Sequence, residues 1–113
     1  MGEKRFSVVF SPAAARDVES LEAAAAGRLI KDIKTYLEVR PIPIGKSRVK
    51  KLSGYAPPLY RIRSGDFRAY YRIRGPEVVI LAVMRRKDSG KRIKRIAEKG
   101  RKGYSSRPKT GFL

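Results

Sequence analysis

Leu59-Tyr-Arg-Ile-Arg-Ser-Gly-Asp-Phe-Arg-Ala-Tyr-Tyr-Arg-Ile-Arg74 alternates arginine with apolar residues on both sides of a Ser64-Gly65-Asp66 turn. Side chains along a strand point to opposite faces in turn, so the pattern predicts a β-hairpin with two unlike surfaces. Phe67, Ala69, Tyr71 and Ile73 share one face with Tyr60 and Ile62 and read as core. Arg61, Arg63, Arg68, Arg72 and Arg74 share the other with Tyr70. Guanidinium is planar, permanently charged and bidentate toward phosphate, so a sheet face lined with it suits an anionic backbone. Asp66 reads as a turn residue.

Outward from the hairpin, Gly75-Pro76 marks a second turn, and Glu77–Met84 is apolar on both faces, as a buried central strand requires. Arg48–Leu52 reads as a short basic strand closed by Ser53-Gly54 and Pro57-Pro58. Near the start, Arg5–Phe10 alternates as a first strand, and Ser11-Pro12 supplies an N-cap with proline at the first helical position. Ala14, Val18 and Leu21 then define a short helix from Ala13 to Leu21. A second helix runs from about Glu22 to Val39, with Leu29, Ile30, Ile33, Tyr36 and Leu37 as its apolar face. Gly27 predicts a bend or late start there, and Arg40-Pro41-Ile42-Pro43 ends it.

The order β-α-α-β-β-β-β predicts an α+β fold, a mixed or antiparallel sheet of four to five strands against an N-terminal helical hairpin. It occupies residues 1–88. Residues 89–113 read as a basic C-terminal helix and flexible tail, with Ile93, Ile96 and Ala97 at helical spacing and Lys91, Arg92, Lys94 and Arg95 on the exposed side.

The 113 residues carry 28 Lys+Arg against 10 Asp+Glu, for a net charge of +18. Residues 1–39 hold six of each sign, so the whole excess lies in residues 40–113. A neutral scaffold followed by a basic two-thirds points to nucleic acid as partner. The chain has no cysteine and no histidine, which excludes disulfides, thiolate nucleophiles, zinc fingers and imidazole catalysis. No metal and no small-molecule cofactor is expected. No apolar run approaches a membrane span and no signal-peptide pattern follows the N-terminus, so a cytoplasmic protein without a membrane partner is expected.

Three segments resemble the RelE/ParE superfamily of toxins from toxin–antitoxin pairs. They are Phe10-Ser-Pro-Ala-Ala-Ala-Arg-Asp-Val18, Lys51-Leu-Ser-Gly54, and Leu59–Tyr71 followed by Val78–Arg86. The third is the most specific, a Tyr-Arg-x-Arg-x-Gly-Asp-Phe-Arg-x-x-Tyr run; the resemblance covers roughly residues 5–86. It implies a cognate antitoxin as partner. RelE-like members cleave messenger RNA in the ribosomal A site, while ParE-like members inhibit DNA gyrase. The resemblance places the RelE active-site positions at Arg61, Arg63, Arg68 and Arg86, with Arg85 adjacent. The first two are lysine in the best-known form. A tyrosine used in acid–base chemistry by some members falls near Arg92.

Metal-independent cleavage by 2′-OH attack needs proton removal, stabilisation of charge on the phosphate and protonation of the leaving oxygen. Arginine suits the second task and, with its pKa above about 12, serves poorly for the first. Lys50, Lys51 and Lys87 are the nearest other candidates, and Lys50 and Lys51 read more readily as electrostatic anchors than as a base. A substrate oriented by the ribosome lowers the demand on acid–base groups, since positioning alone is worth about 7 kcal/mol in favourable cases. The resemblance, together with this chemistry, therefore implies a ribosome-dependent mRNA endonuclease with catalytic Arg61, Arg63, Arg68 and Arg86. Lys50, Lys51, Tyr70, Arg85, Lys87, Lys91, Arg92, Lys94 and Arg95 would contact mRNA or ribosomal RNA. The alternatives are a ParE-like gyrase inhibitor and a non-catalytic RNA-binding homologue.

Overall fold

The computed structural model describes residues 5–43, 45, 48–88 and 93. Seven elements follow in the predicted order: β1 (Ser7–Phe10), α1 (Pro12–Glu19), α2 (Ala23–Leu37), β2 (Val49–Leu52), β3 (Leu59–Ser64), β4 (Phe67–Arg74) and β5 (Glu77–Arg85). A 3-10 turn at Arg86–Asp88 follows β5. The strands form one sheet in the order β1-β5-β4-β3-β2. β1 runs parallel to β5 and the other pairs are antiparallel, so the fold is α+β with a mixed sheet. Each of the β3–β4 and β4–β5 hairpins closes with two residues, Gly65-Asp66 and Gly75-Pro76. Gly65 at φ 60° and Gly75 at φ 59° supply the left-handed first position that such tight turns demand.

Ser11 caps α1 by accepting a 3.1 Å hydrogen bond from the Ala14 N–H, and its hydroxyl donates to Leu81 O at 3.2 Å. The predicted bend at Gly27 does not occur, because α2 runs unbroken from Ala23 to Leu37. Four alanines precede the glycine, and burial of Leu29, Ile33 and Leu37 at about 1.5–3 kcal/mol each outweighs the roughly 1 kcal/mol that glycine costs a helix. Ile30 and Tyr36 flank that buried stripe, Ile30 half-buried and Tyr36 exposed.

Ala14, Leu29, Ile33 and Leu37 pack on Val49, Tyr60, Ile62, Ala69, Tyr71, Val78, Ile80 and Val83. This is the core face that the hairpin alternation predicts. Tyr71 stacks on Tyr60 with ring centroids 5.4 Å apart, and its hydroxyl donates to Pro41 O at 2.6 Å, which fastens the loop after α2 to the sheet. Asp32 on α2 accepts from the Ser64 hydroxyl at 2.7 Å and lies 3.5 Å from the Arg48 guanidinium.

The opposite face departs from the expected continuous cationic surface. Leu59, Tyr70, Val79, Leu81, Ala82 and Met84 form a second buried cluster there, joined by half-buried Val9, Leu52, Tyr55 and Ile93. β5 is the reason: apolar at every position from Val78 to Met84, it must bury both its faces. Ile93, in helical conformation, is the described residue of the C-terminal region that covers this cluster. The other residues of the predicted C-terminal helix and tail lie outside the described residues.

β5 also carries a bulge. Tyr71 pairs with Ile80 and Tyr70 with Ala82, so Leu81 is the extra residue. Val78 and Ile80 face the helices; after the bulge Val83 does so, while Leu81, Ala82 and Met84 face away. β1 ends opposite Ile80, and the edge of β5 beyond it is completed by side chains: Ser11 takes Leu81 O and the Asp17 carboxylate accepts from the Val83 N–H at 2.9 Å. The Ser-Pro-Ala…Asp opening of α1 is thus a structural clamp. Asp17→Ala strands the Val83 N–H, and a loss of about 1–3 kcal/mol in urea unfolding is expected. An unchanged midpoint would show that the clamp contributes nothing.

Candidate nucleic-acid interface

Two rows of cross-strand neighbours build the arginine face. Lys50, Arg61, Tyr70 and Ala82 lie side by side across β2, β3, β4 and β5. Arg63, Arg68 and Met84 form the next row. Arg68 lies at the centre, only 8% exposed, and its Nη1 has no hydrogen-bond partner among the described residues. The Nε of Arg61 is likewise buried and unpartnered among them. Burial holds the Arg68 guanidinium below its ordinary pKa, and Arg61, Arg86 and Arg63 add to that, with Tyr70 opposing. A buried cation amid like charges is disfavoured until an anion arrives, so the site is electrostatically set for a phosphate.

The bulge decides which arginine at the end of β5 joins this group. In unbroken alternation from Val78, Arg85 would face away from the helices and Arg86 toward them. With Leu81 inserted, Arg85 pairs with Phe67 on the helix side, its guanidinium 5.2 Å from the Phe67 ring centroid. Arg86 is left as the one that acts on Arg68. Arg61, Arg63, Arg68 and Arg86 are therefore brought together, and Arg85 is not.

The remaining predicted contacts divide. Lys50 is exposed beside Arg61, whereas Lys51 pairs with Tyr60 and lies on the opposite side of the sheet. Tyr70 is 2% exposed, its ring committed to the second apolar cluster, so it presents no open face for a base to stack on. Lys87 is exposed in the 3-10 turn. Lys91, Arg92, Lys94 and Arg95 lie outside the described residues. Two residues outside the predicted contacts also lie on the face: Tyr55, which packs on the apolar cluster from the β2–β3 loop, and Arg72, 4% exposed, which the alternation places there but which carries no predicted contact. The same alternation that marks Arg68 marks Arg72; no periodicity marks Tyr55.

This face holds guanidinium donors in a partly dry setting, which is what binding and stabilising a phosphate needs. Tyr71 is no acid–base candidate: it faces the helices, donates to Pro41 O, and burial with Tyr60 beside it holds its pKa well above the ordinary value. Among the described residues no helix is long and apolar enough to cross a membrane.

The family model described as ParE toxin of type II toxin-antitoxin system, parDE, matches residues 8–90. The chain belongs to this family, and so to the RelE/ParE superfamily of toxins. Among solved structures it is similar to the archaeal RelE–RelB complex from Pyrococcus horikoshii OT3, at 29% identity and TM-score 0.61, over 74% of this chain and 98% of that one. The toxin–antitoxin complex RelBE2 from Mycobacterium tuberculosis shares the fold at 23% identity and TM-score 0.52, over 74% and 94%. So does the RelB–RelE complex from Methanococcus jannaschii, at 22% and 0.52, over 70% and 91%. No match was found among curated proteins.

Proposed function

We propose that this toxin is an RNA endonuclease that cuts mRNA on the ribosome, with Arg68 and Arg86 holding the scissile phosphate and Arg61 and Arg63 assisting. The observation that carries this reading is the buried Arg68 guanidinium, unpartnered at Nη1 among the described residues and ringed by three further arginines. Such a site stabilises charge developing on phosphate, while the ribosome orients the 2′-OH for attack. Lys50 lies where it would contact flanking backbone. The partner is a cognate antitoxin, in keeping with the similar structures, which are toxin–antitoxin complexes. An acidic segment would offset the +18 charge.

Incubation of the protein with ribosomes and mRNA tests the reading. Cleavage at the A-site codon is expected, and intact mRNA at saturating toxin would overturn it. The family match favours one other reading, a ParE-like gyrase inhibitor, and a DNA supercoiling assay separates the two. Loss of supercoiling with RNA left intact would establish the second.

A further inference from the structure

We infer that the open depression at the hairpin end of the sheet, between Asp66, Arg85, Arg86 and Lys87, binds a backbone phosphate of single-stranded RNA running on from the Arg68 face. The inference rests on the RNA reading above and adds to it a second phosphate subsite and a path for the strand.

The depression has a volume of about 470 Å³. It is a formed feature: the Arg86 N–H donates to Asp66 O at 2.9 Å, joining the end of β5 to the β3–β4 turn. Three of its four lining residues are cations and one is an anion. The Arg85 guanidinium rests over the Phe67 ring instead of a carboxylate. Such stacking holds the plane of the group and leaves its N–H edge for another acceptor. Lys87 is exposed beside it and has no hydrogen bond or ion pair among the described residues.

The bulge at Leu81 gives the depression its meaning. It sends consecutive arginines to opposite sides of the sheet end, Arg86 toward Arg68 and Arg85 over Phe67. Cations therefore continue from the arginine face around the end of the sheet toward the helix side. A duplex is too stiff to follow that turn, with a persistence length of about 150 bp for DNA. A single strand follows it readily, and a basic track is how such strands are held without sequence preference.

Binding of a labelled single-stranded oligouridine, measured across a salt series, tests this. For Arg85→Gln/Lys87→Gln, which removes the subsite for one phosphate, the slope of log affinity against log salt should fall by about 0.7, the value for one phosphate contact on a single strand. Both positions are exposed, so folding should be unaffected. Arg28→Gln/Lys34→Gln on α2 removes the same charge elsewhere and should leave the slope near wild type. If both double variants behave alike while Arg68→Met still abolishes binding, the subsite is overturned and the RNA reading stands. If the wild type itself fails to bind even at low salt, the subsite is overturned, while cleavage of mRNA in the ribosome assay still decides the RNA reading. An Asp/Glu-rich peptide whose binding alone depends on Arg85 and Lys87 would also overturn the inference, assigning the depression to an acidic protein segment.

Discussion

Arg68→Met is expected to cut the proposed RNA cleavage sharply and to raise the melting temperature in the same variant. On the proposed RNA reading, the activity loss follows from removing a preorganised donor aimed at the scissile phosphate. Removal of one such group costs about 10²–10³ in rate, or roughly 2.7–4 kcal/mol. The gain in stability follows from the state of the arginine in the unliganded protein. It is 8% exposed, unpartnered at Nη1 among the described residues, and surrounded by Arg61, Arg86 and Arg63. Methionine fits the flexible stem's path beside Met84 without an uncompensated charge. A gain of about 1 kcal/mol would appear as about 4–8 °C in a domain of this size.

The pH dependence fixes which lever reveals this. Arg68 has its pKa lowered by folding, so the folded state holds its proton less tightly than the unfolded chain. The penalty is fully present at neutral pH and is relieved only as pH rises into the strongly alkaline range below the ordinary arginine value. Around neutrality the stability contribution of Arg68 is therefore flat in pH, and added salt or phosphate should stabilise the wild type more than Arg68→Met. Calorimetric scans of both proteins with and without phosphate measure this directly. A variant that melts lower than wild type and still cleaves RNA would remove Arg68 from the site altogether.

Tyr71→Ala should have the largest effect on folding. Tyr71 is fully buried, stacks on Tyr60 and anchors Pro41 through its hydroxyl. Deleting a buried aromatic ring costs about 3–5 kcal/mol, and the stranded Pro41 carbonyl adds to that. Against a total stability of about 5–15 kcal/mol, much of the population should unfold near 37 °C. Tyr71→Phe keeps the ring, and its expected cost is about 1–3 kcal/mol with cleavage unchanged. Because folding raises the phenol pKa, Tyr71 contributes stability that is complete below its ordinary value of 10.0 and is lost as pH climbs beyond it. Wild type should therefore lose stability above pH 10 more steeply than Tyr71→Phe in urea titrations. Equal slopes would show that the Tyr71 proton plays no part, and a cleavage defect in Tyr71→Phe would overturn the exclusion of this residue as an acid–base group.

The hairpin, the second turn, the helix start at Ser11-Pro12 and the element order were all legible in the chain, because each rests on neighbours in sequence. Period-two alternation assigned Phe67, Ala69 and Tyr71 to one face and Arg68 to the other without any tertiary contact. The same alternation failed on β5. From Val78 to Met84 every residue is apolar, so no polar side chain marks the phase, and a bulge inside that run is invisible to pattern. Its consequence, Arg86 and not Arg85 beside Arg68, was therefore legible from the family resemblance but not from the alternation. Lys50 and Lys51 illustrate the converse: two adjacent strand residues read as a pair must face opposite ways once the strand is formed.

By itself the sequence determined an α+β fold resembling RelE/ParE toxins, a neutral helical layer, and a sheet whose outward face is rich in arginine. The tertiary structure decided how much of that outward face is open, which arginines meet, and how the edge of β5 is completed by Ser11 and Asp17 from 70 and 66 residues away. The division has one physical cause. Periodicity and turn chemistry are local properties of the backbone, whereas burial, register shifts and pKa depression depend on which distant segments share a face.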